Sequence, residues 1–238
     1  MLPIFLASSS PRRQSLLNMA GVSFSTLAVE IDESIYTNEL PQDYIVRMVH
    51  QKMVHAVTQL CCADANVIKQ PCLVMTADTI GVLPDGKTVL VKPKNKQDAF
   101  VMWEQMSDNT HEVWTAVCLS VITGCDNIKN IEQQNNESKY ALESLANIAM
   151  EKRQQYPSNI VMKDLILEKT EVNFIALTEQ MMQDYWQTGE PCDKAGGYAI
   201  QGRGAAWVKS INGSYTNVVG LPLAQVLQAI EKIQTHFI

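Results

Sequence analysis

No apolar run in this 238-residue sequence approaches the ~20 residues needed to span a membrane. Positive charge is not in excess either. Lys and Arg number 19 against 25 Asp and Glu, a formal net charge of −6, which argues against any general attraction to nucleic acid or anionic lipid. An anion bound by this chain must therefore meet a local positive site. The opening MLPIFLA is as apolar as a short secretory segment, yet no Lys or Arg precedes it and the basic pair Arg12 and Arg13 follows it, the reverse of a signal peptide. A cytoplasmic protein is expected, with neither nucleic acid nor membrane as partner. Cys61, Cys62, Cys72, Cys118, Cys125 and Cys192 form no CxxC pair and no zinc-finger spacing with histidine, so they read as buried or incidental thiols in a reducing compartment. His50, His55, His111 and His236 show no ligand spacing and give a catalytic histidine little support.

The 46% hydrophobic and 18% charged residues describe an ordinary soluble globular protein, not a disordered chain. The length suits one compact domain over residues 1–238. Residues 3–7 predict a buried strand, and Pro11 suits the first turn of a helix over RRQSLLNMA. FSTLAV predicts a second strand, followed by the acidic loop EIDES. Pro41 opens a long helix whose Tyr44, Ile45, Met48, Val49 and Met53 share a face, with Lys52 beside the stripe. Residues 72–91 read as a strand, CLVMTADTIGVL, that turns at PDG into a hairpin. NKQDAFVMWEQM has helical spacing, and HEVWTAVCLSVI and KTEVNFIAL read as strands. TEQMMQDYWQTG is a helix with a Thr cap and a Gly stop, AAWVKSI a last strand and PLAQVLQAIEKI a last helix. Between Gly124 and Glu168 the composition shifts to Asn, Gln, Glu and Lys, which reads as a surface insertion. The alternation of strands and helices predicts an α/β fold, and the hairpin makes its sheet mixed.

Four places carry candidate chemistry. In SSSPRR a strand end feeds a helix start, where free backbone N–H groups and the helix dipole favour an anion. Ser8 and Ser10 can add hydroxyl donors, and Arg12 and Arg13 add planar forks suited to phosphate. The plainer reading is a serine-capped helix with two solvated arginines, because the loop lacks the Walker glycines. Asp78 ends the apolar run CLVMTA, where α/β sheets usually place ligand sites, and can hold a metal or act as a base. Glu33 can supply a second hard oxygen ligand of the kind that suits Mg²⁺ or Mn²⁺. Lys52 and Lys92 are snorkelling lysines when each is taken singly. In residues 188–205, TGEPCDKAGGYAIQGRGA, five glycines suggest a close backbone approach to a ligand. There Gln201 can read a base edge, while Lys194 and Arg203 can help hold charge.

Taken together, LASSSPRRQSLL, TADT, KPKNKQDA, TGEPCDKAGGYAIQG and INGSYTNVVGLPL resemble the Maf-like nucleoside triphosphate pyrophosphatases, once described as septum formation inhibitors. The resemblance implies an elongated mixed β-sheet flanked by helices, with two lobes and a central cleft, similar to the inosine triphosphate pyrophosphatases. It implies hydrolysis of a nucleoside triphosphate to the monophosphate and pyrophosphate with a divalent cation. Asp78 is the implied proton acceptor, and Arg12, Thr79 and Gln201 the implied specificity positions. Ser8, Arg13, Glu33, Lys52 and Lys92 match further polar positions of the family's pocket. The wording around Gln201 resembles the branch that acts on dTTP and UTP, with a 7-methyl-GTP pyrophosphatase or a nucleotide-binding division regulator as alternatives. A homodimer is implied by family habit alone. The chain departs from the family pattern at Thr76, Val91 and Asp108, each in place of a usual Gly.

Overall fold

A computed structural model describes residues 1–62, 71–123 and 160–237 of the chain. The element order is β1 (Ile4–Ala7), α1 (Pro11–Met19), β2 (Ser25–Thr26), α2 (Pro41–Cys62), β3 (Cys72–Val82), β4 (Val89–Leu90), α3 (Lys96–Met106), β5 (Thr110–Ile122) and β6 (Ile160–Phe174). It continues with α4 (Glu179–Trp186), three 3₁₀ turns (Glu190–Asp193, Ala195–Gly197 and Arg203–Trp207), β7 (Val208–Asn212), α5 (Tyr215–Val219) and α6 (Leu223–His236).

The strands form one seven-stranded mixed sheet in the order β2-β1-β3-β5-β6-β7, with β4 paired to β3. β1 runs parallel to β2 and β3, and the other pairs are antiparallel. β3 and β5 are apolar on both faces and lie in the middle, as two-sided apolar strands must. On one face, Cys72, Val74, Ile80 and Val82 pack with Ala116, Cys118 and Ile122 under the apolar stripe of α2. On the other, Leu73, Met75 and Ala77 meet Val117, Leu119 and Val121 beneath α1 and α6. A third core, built on Trp103, Phe174, Tyr185 and Trp207, forms the second lobe. Burying each large side chain contributes about 1.5–3 kcal/mol relative to leaving it exposed.

The helix over residues 41–62 carries its apolar stripe inward as expected, and Thr178 caps α4 by accepting from Met181 N. Several boundaries differ from expectation. FSTLAV pairs with β1 only at Ser25–Thr26, and AAW belongs to a 3₁₀ turn before β7. The expected insertion at 124–168 runs too far: β6 begins at Ile160 and pairs along the whole of β5. Lys163, Asp164 and Glu168 keep the composition polar there, and this hid a strand set by the need of β5 for a partner. Residues 124–159 lie outside the described residues. Among the described cysteines, Cys72, Cys118 and Cys192 are free, whereas Cys61 is disulfide-bonded, contrary to the expectation of thiols throughout. Among the described residues, no helix is long and apolar enough to cross a membrane.

The three family departures have local explanations. Thr76 is buried and its hydroxyl donates to Val49 O at 2.9 Å, tying β3 to α2. Val91 O accepts from Gly196 N at 3.1 Å through the backbone alone, which any residue there can do. Asp108 sits at φ 52°, a left-handed conformation that strains a side chain but not glycine. Asp108→Gly is therefore expected to raise stability by up to about 1 kcal/mol, read as a thermal midpoint higher by about 2–4 °C with no change in activity.

Candidate active site

β1 and β3 run together only as far as Ala7 opposite Thr76, and β4 joins β3 only at Gly81. Between these points the edge of β3 is bare, and a cleft of about 1030 Å³ opens there. Asp78 and Thr79 occupy this gap on opposite faces of the strand. As the run CLVMTADTIGVL predicts, the strand passes through Asp78 to Val82, so the carboxylate that ends the apolar stretch CLVMTA lies within the strand and not at its end.

On the α2 face, Lys52 reaches across to the gap. Its Nζ donates to Asp78 Oδ1 at 2.6 Å and to Glu33 Oε1 at 3.0 Å, and Lys92 Nζ donates to Glu33 Oε2 at 3.3 Å. Lys52 is almost buried, so its charge is not simply solvated. Partial burial pushes the Glu33 carboxyl up, but Lys52 and then Lys92 outweigh it and leave Glu33 below the usual carboxylate range. Glu33 stands on an irregular acidic loop held from α2. Tyr44 donates to Glu33 O at 2.9 Å, and Arg47 donates to Ser34 O at 2.8 Å and to both oxygens of Glu39 at 2.6 Å. The Arg47 guanidinium also lies 3.8 Å from the centre of the Tyr36 ring.

On the opposite face Arg13 is a buried strut. It donates from Nε to Gly220 O at 2.9 Å, from Nη1 to Ser8 Oγ at 3.0 Å and from Nη2 to Thr79 Oγ1 at 3.0 Å. Burial lowers its pKa, with Asp78 working against that. Thr79 passes the chain on to Thr115 Oγ1 at 2.9 Å, and Thr115 donates to Asn217 O at 3.1 Å. Ser10 makes no side-chain capping bond to α1, so the simple serine cap does not account for the loop. Ser8 instead accepts from Arg13 and, at 3.3 Å, from Ser10 N. Arg12 lines the cleft and is part-exposed.

The far wall comes from residues 194–201. Tyr198 is buried, and its hydroxyl lies 2.8 Å from Nε2 of His111, which burial holds neutral with a pKa lowered to about 4. Trp103 Nε1 donates to Gly196 O at 3.1 Å and pins the turn. Gln201 and Lys194 line the cleft, whereas Arg203 does not, and its expected part in holding charge has no support. The glycines here answer to protein neighbours. A Cβ at Gly202 would collide with the Glu190 carboxylate, and one at Gly204 would lie 2.9 Å from both Ala199 O and Tyr185 Oη.

The structure thus gathers Ser8, Arg12, Arg13, Glu33, Lys52, Asp78, Thr79, Lys92 and Gln201 around one cleft. Sequence reasoning missed Tyr44, Arg47, Tyr185 and Glu190, whose partners are set by folding and not by any local motif. Among the described residues no cluster of three or more metal-ligating side chains stands ready. Two carboxylates facing one lysine nevertheless suit a hard cation that takes its remaining oxygens from a phosphorylated ligand.

A split mixed sheet with a braced serine–arginine loop on one side and a carboxylate–lysine ladder on the other defines an α/β protein whose cleft is built for a polyanion. The chain belongs to the Maf family: the description "Maf-like protein" matches residues 3–233. A dTTP/UTP pyrophosphatase of Psychrobacter arcticus is 50% identical over 240 residues, covering 98% of this chain and 95% of that protein. Another, from Psychrobacter cryohalolentis, is 50% identical over 98% of this chain and 97% of its own length. A dTTP/UTP pyrophosphatase of Pseudoalteromonas atlantica is 36% identical over 97% of this chain and 96% of its own length.

Proposed function

We propose that this chain hydrolyses dTTP and UTP to the monophosphate and pyrophosphate, acting on the cytoplasmic nucleotide pool. The observation that carries the reading is the bond from Lys52 to both Asp78 and Glu33 in the gap of the sheet, opposite the Arg13-braced serine loop. The names of relatives at 50% identity over nearly the full length supply the nucleotides.

Cleavage between the α and β phosphates requires the triphosphate charge to be spread over several cations and a water to stand opposite the leaving pyrophosphate. Arg12 and the serine loop face the phosphates from one side, Lys92 and Lys52 from the other. Asp78 gives one oxygen to Lys52 and keeps acceptor capacity for the attacking water, which it orients and relieves of its proton. Glu33 and Asp78 would hold a Mg²⁺ or Mn²⁺ ion, which when bound offsets phosphate charge. Gln201, across the cleft, meets the base, and Thr79 supports selection through Arg13.

Release of pyrophosphate measured across a nucleotide panel with Mg²⁺ or Mn²⁺ tests the reading. UTP and dTTP are expected to be turned over fastest. Faster cleavage of 7-methyl-GTP would place the chain in the other branch, and binding without turnover would make it a nucleotide-binding regulator.

A further inference from the structure

The turn that carries Gln201 is held at both ends by one pair of side chains from outside the cleft. Tyr185, on α4, donates its hydroxyl to Glu190 Oε1 at 2.6 Å and accepts from Ala199 N at 3.2 Å, before the turn. Glu190 accepts from Arg203 N at 3.0 Å and Gly204 N at 3.4 Å, after it. The turn closes on itself where Gly202 N donates to Ala199 O at 3.2 Å. Glu190 therefore bars a side chain at Gly202, and Tyr185 together with the Ala199 backbone bars one at Gly204. Neither residue lines the cleft.

We propose that Tyr185 and Glu190 act as a clasp that positions Gln201 and so determines which base the enzyme accepts. The proposal rests on the reading that Gln201 meets the base. A glutamine amide can rotate to present either a donor or an acceptor, so by itself it discriminates poorly between a base edge and its reverse. The partners of the amide set which end faces the base, and a fixed backbone sets the distance and angle from which that end can reach it. The clasp supplies that constraint with a charge-assisted bond and two backbone N–H donors on one carboxylate. Burial and the bond to Glu190 push the Tyr185 phenol up, which keeps it a donor. The carboxyl of Glu190 is pushed up by partial burial but held below its ordinary range by Tyr185 and the two N–H groups, which keeps it an acceptor.

The test compares kcat and KM for UTP and for CTP in the wild type, Glu190→Ala, Tyr185→Phe, Gln201→Ala and the double variant Glu190→Ala/Gln201→Ala. Tyr185→Phe keeps the ring packed against Trp103 and Trp207, so it reports on the clasp even where Glu190→Ala folds poorly. Each clasp variant is expected to lower the UTP-over-CTP ratio of kcat/KM about tenfold, chiefly through KM for UTP, with kcat within about twofold. The double variant is expected to be no less selective than Gln201→Ala alone, because the clasp acts through Gln201. If Gln201→Ala shifts the ratio and the clasp variants only lower the melting temperature, the pair is structural and the proposal is overturned. If neither shifts it, the assignment of Gln201 falls and takes the clasp with it. If neither nucleotide is turned over by the wild type, the functional reading itself has failed, and base selection by the clasp fails with it.

Discussion

Asp78→Asn is expected to lower kcat for pyrophosphate release about a thousandfold, the size of contribution that positioned general bases make. The amide has nearly the volume of the carboxylate and keeps an oxygen for Lys52, so neither packing nor that bond need be lost. It removes the proton acceptor and one negative charge. Lys52 remains paired with Glu33 at 3.0 Å, so no lysine is left buried and alone, and the variant should melt close to the wild type. Nucleotide affinity should survive, because the serine loop and its Arg13 strut stand on the other face of β3. Single-turnover kinetics beside equilibrium binding separate the two effects. A kcat within about tenfold of wild type would assign the base to another group.

The second large effect is expected at Arg47, which the sequence presents only as one more charged residue on a helix. Its side chain and that of Glu39 are 5% and 8% exposed, and they form a two-point ion pair. Arg47→Met takes two bonds from the Glu39 carboxylate and leaves it relying on the Tyr36 N–H at 3.0 Å, and breaking a buried pair from one side costs about 3–5 kcal/mol. Denaturant unfolding should show that loss. Arg47→Met/Glu39→Leu, which leaves no orphaned charge, should recover much of it. Activity should fall in both variants, because Arg47 also holds Ser34 O beside Glu33. If the double variant is as unstable as the single, the orphaned charge is not the cause. If both keep full activity, the clamp does not set Glu33.

These two residues show how unevenly the molecule is written in its sequence. Asp78 announces itself because a carboxylate in the middle of CLVMTADTIGVL has no packing reason to be there. The α2 stripe and the Thr178 cap follow from spacing and local hydrogen bonding, and both were legible. Arg47, Tyr185 and Glu190 were not. Their partners lie at turns whose approach depends on the whole sheet, and no spacing rule links Glu190 to Arg203 and Gly204. Sheet order was equally hidden, because β3 pairs with β1 across the full length of α1 and α2. The start of β6 was misjudged because composition averages over a boundary that hydrogen bonding draws sharply at Ile160.

The continuity of β5 and β6 bears on how the cleft meets its ligand. These strands of 13 and 15 residues run from the core under α2 into the core around Trp103 and Phe174, joined in register along nearly their whole length. A ladder about 40 Å long cannot act as a hinge, since opening it would break many backbone bonds at once. The two lobes are therefore a single stiff body, and the ladder, not a movement of one lobe against the other, sets the opening through which substrate enters. Little free energy is spent on closure, so binding energy remains for holding the triphosphate in a reactive alignment.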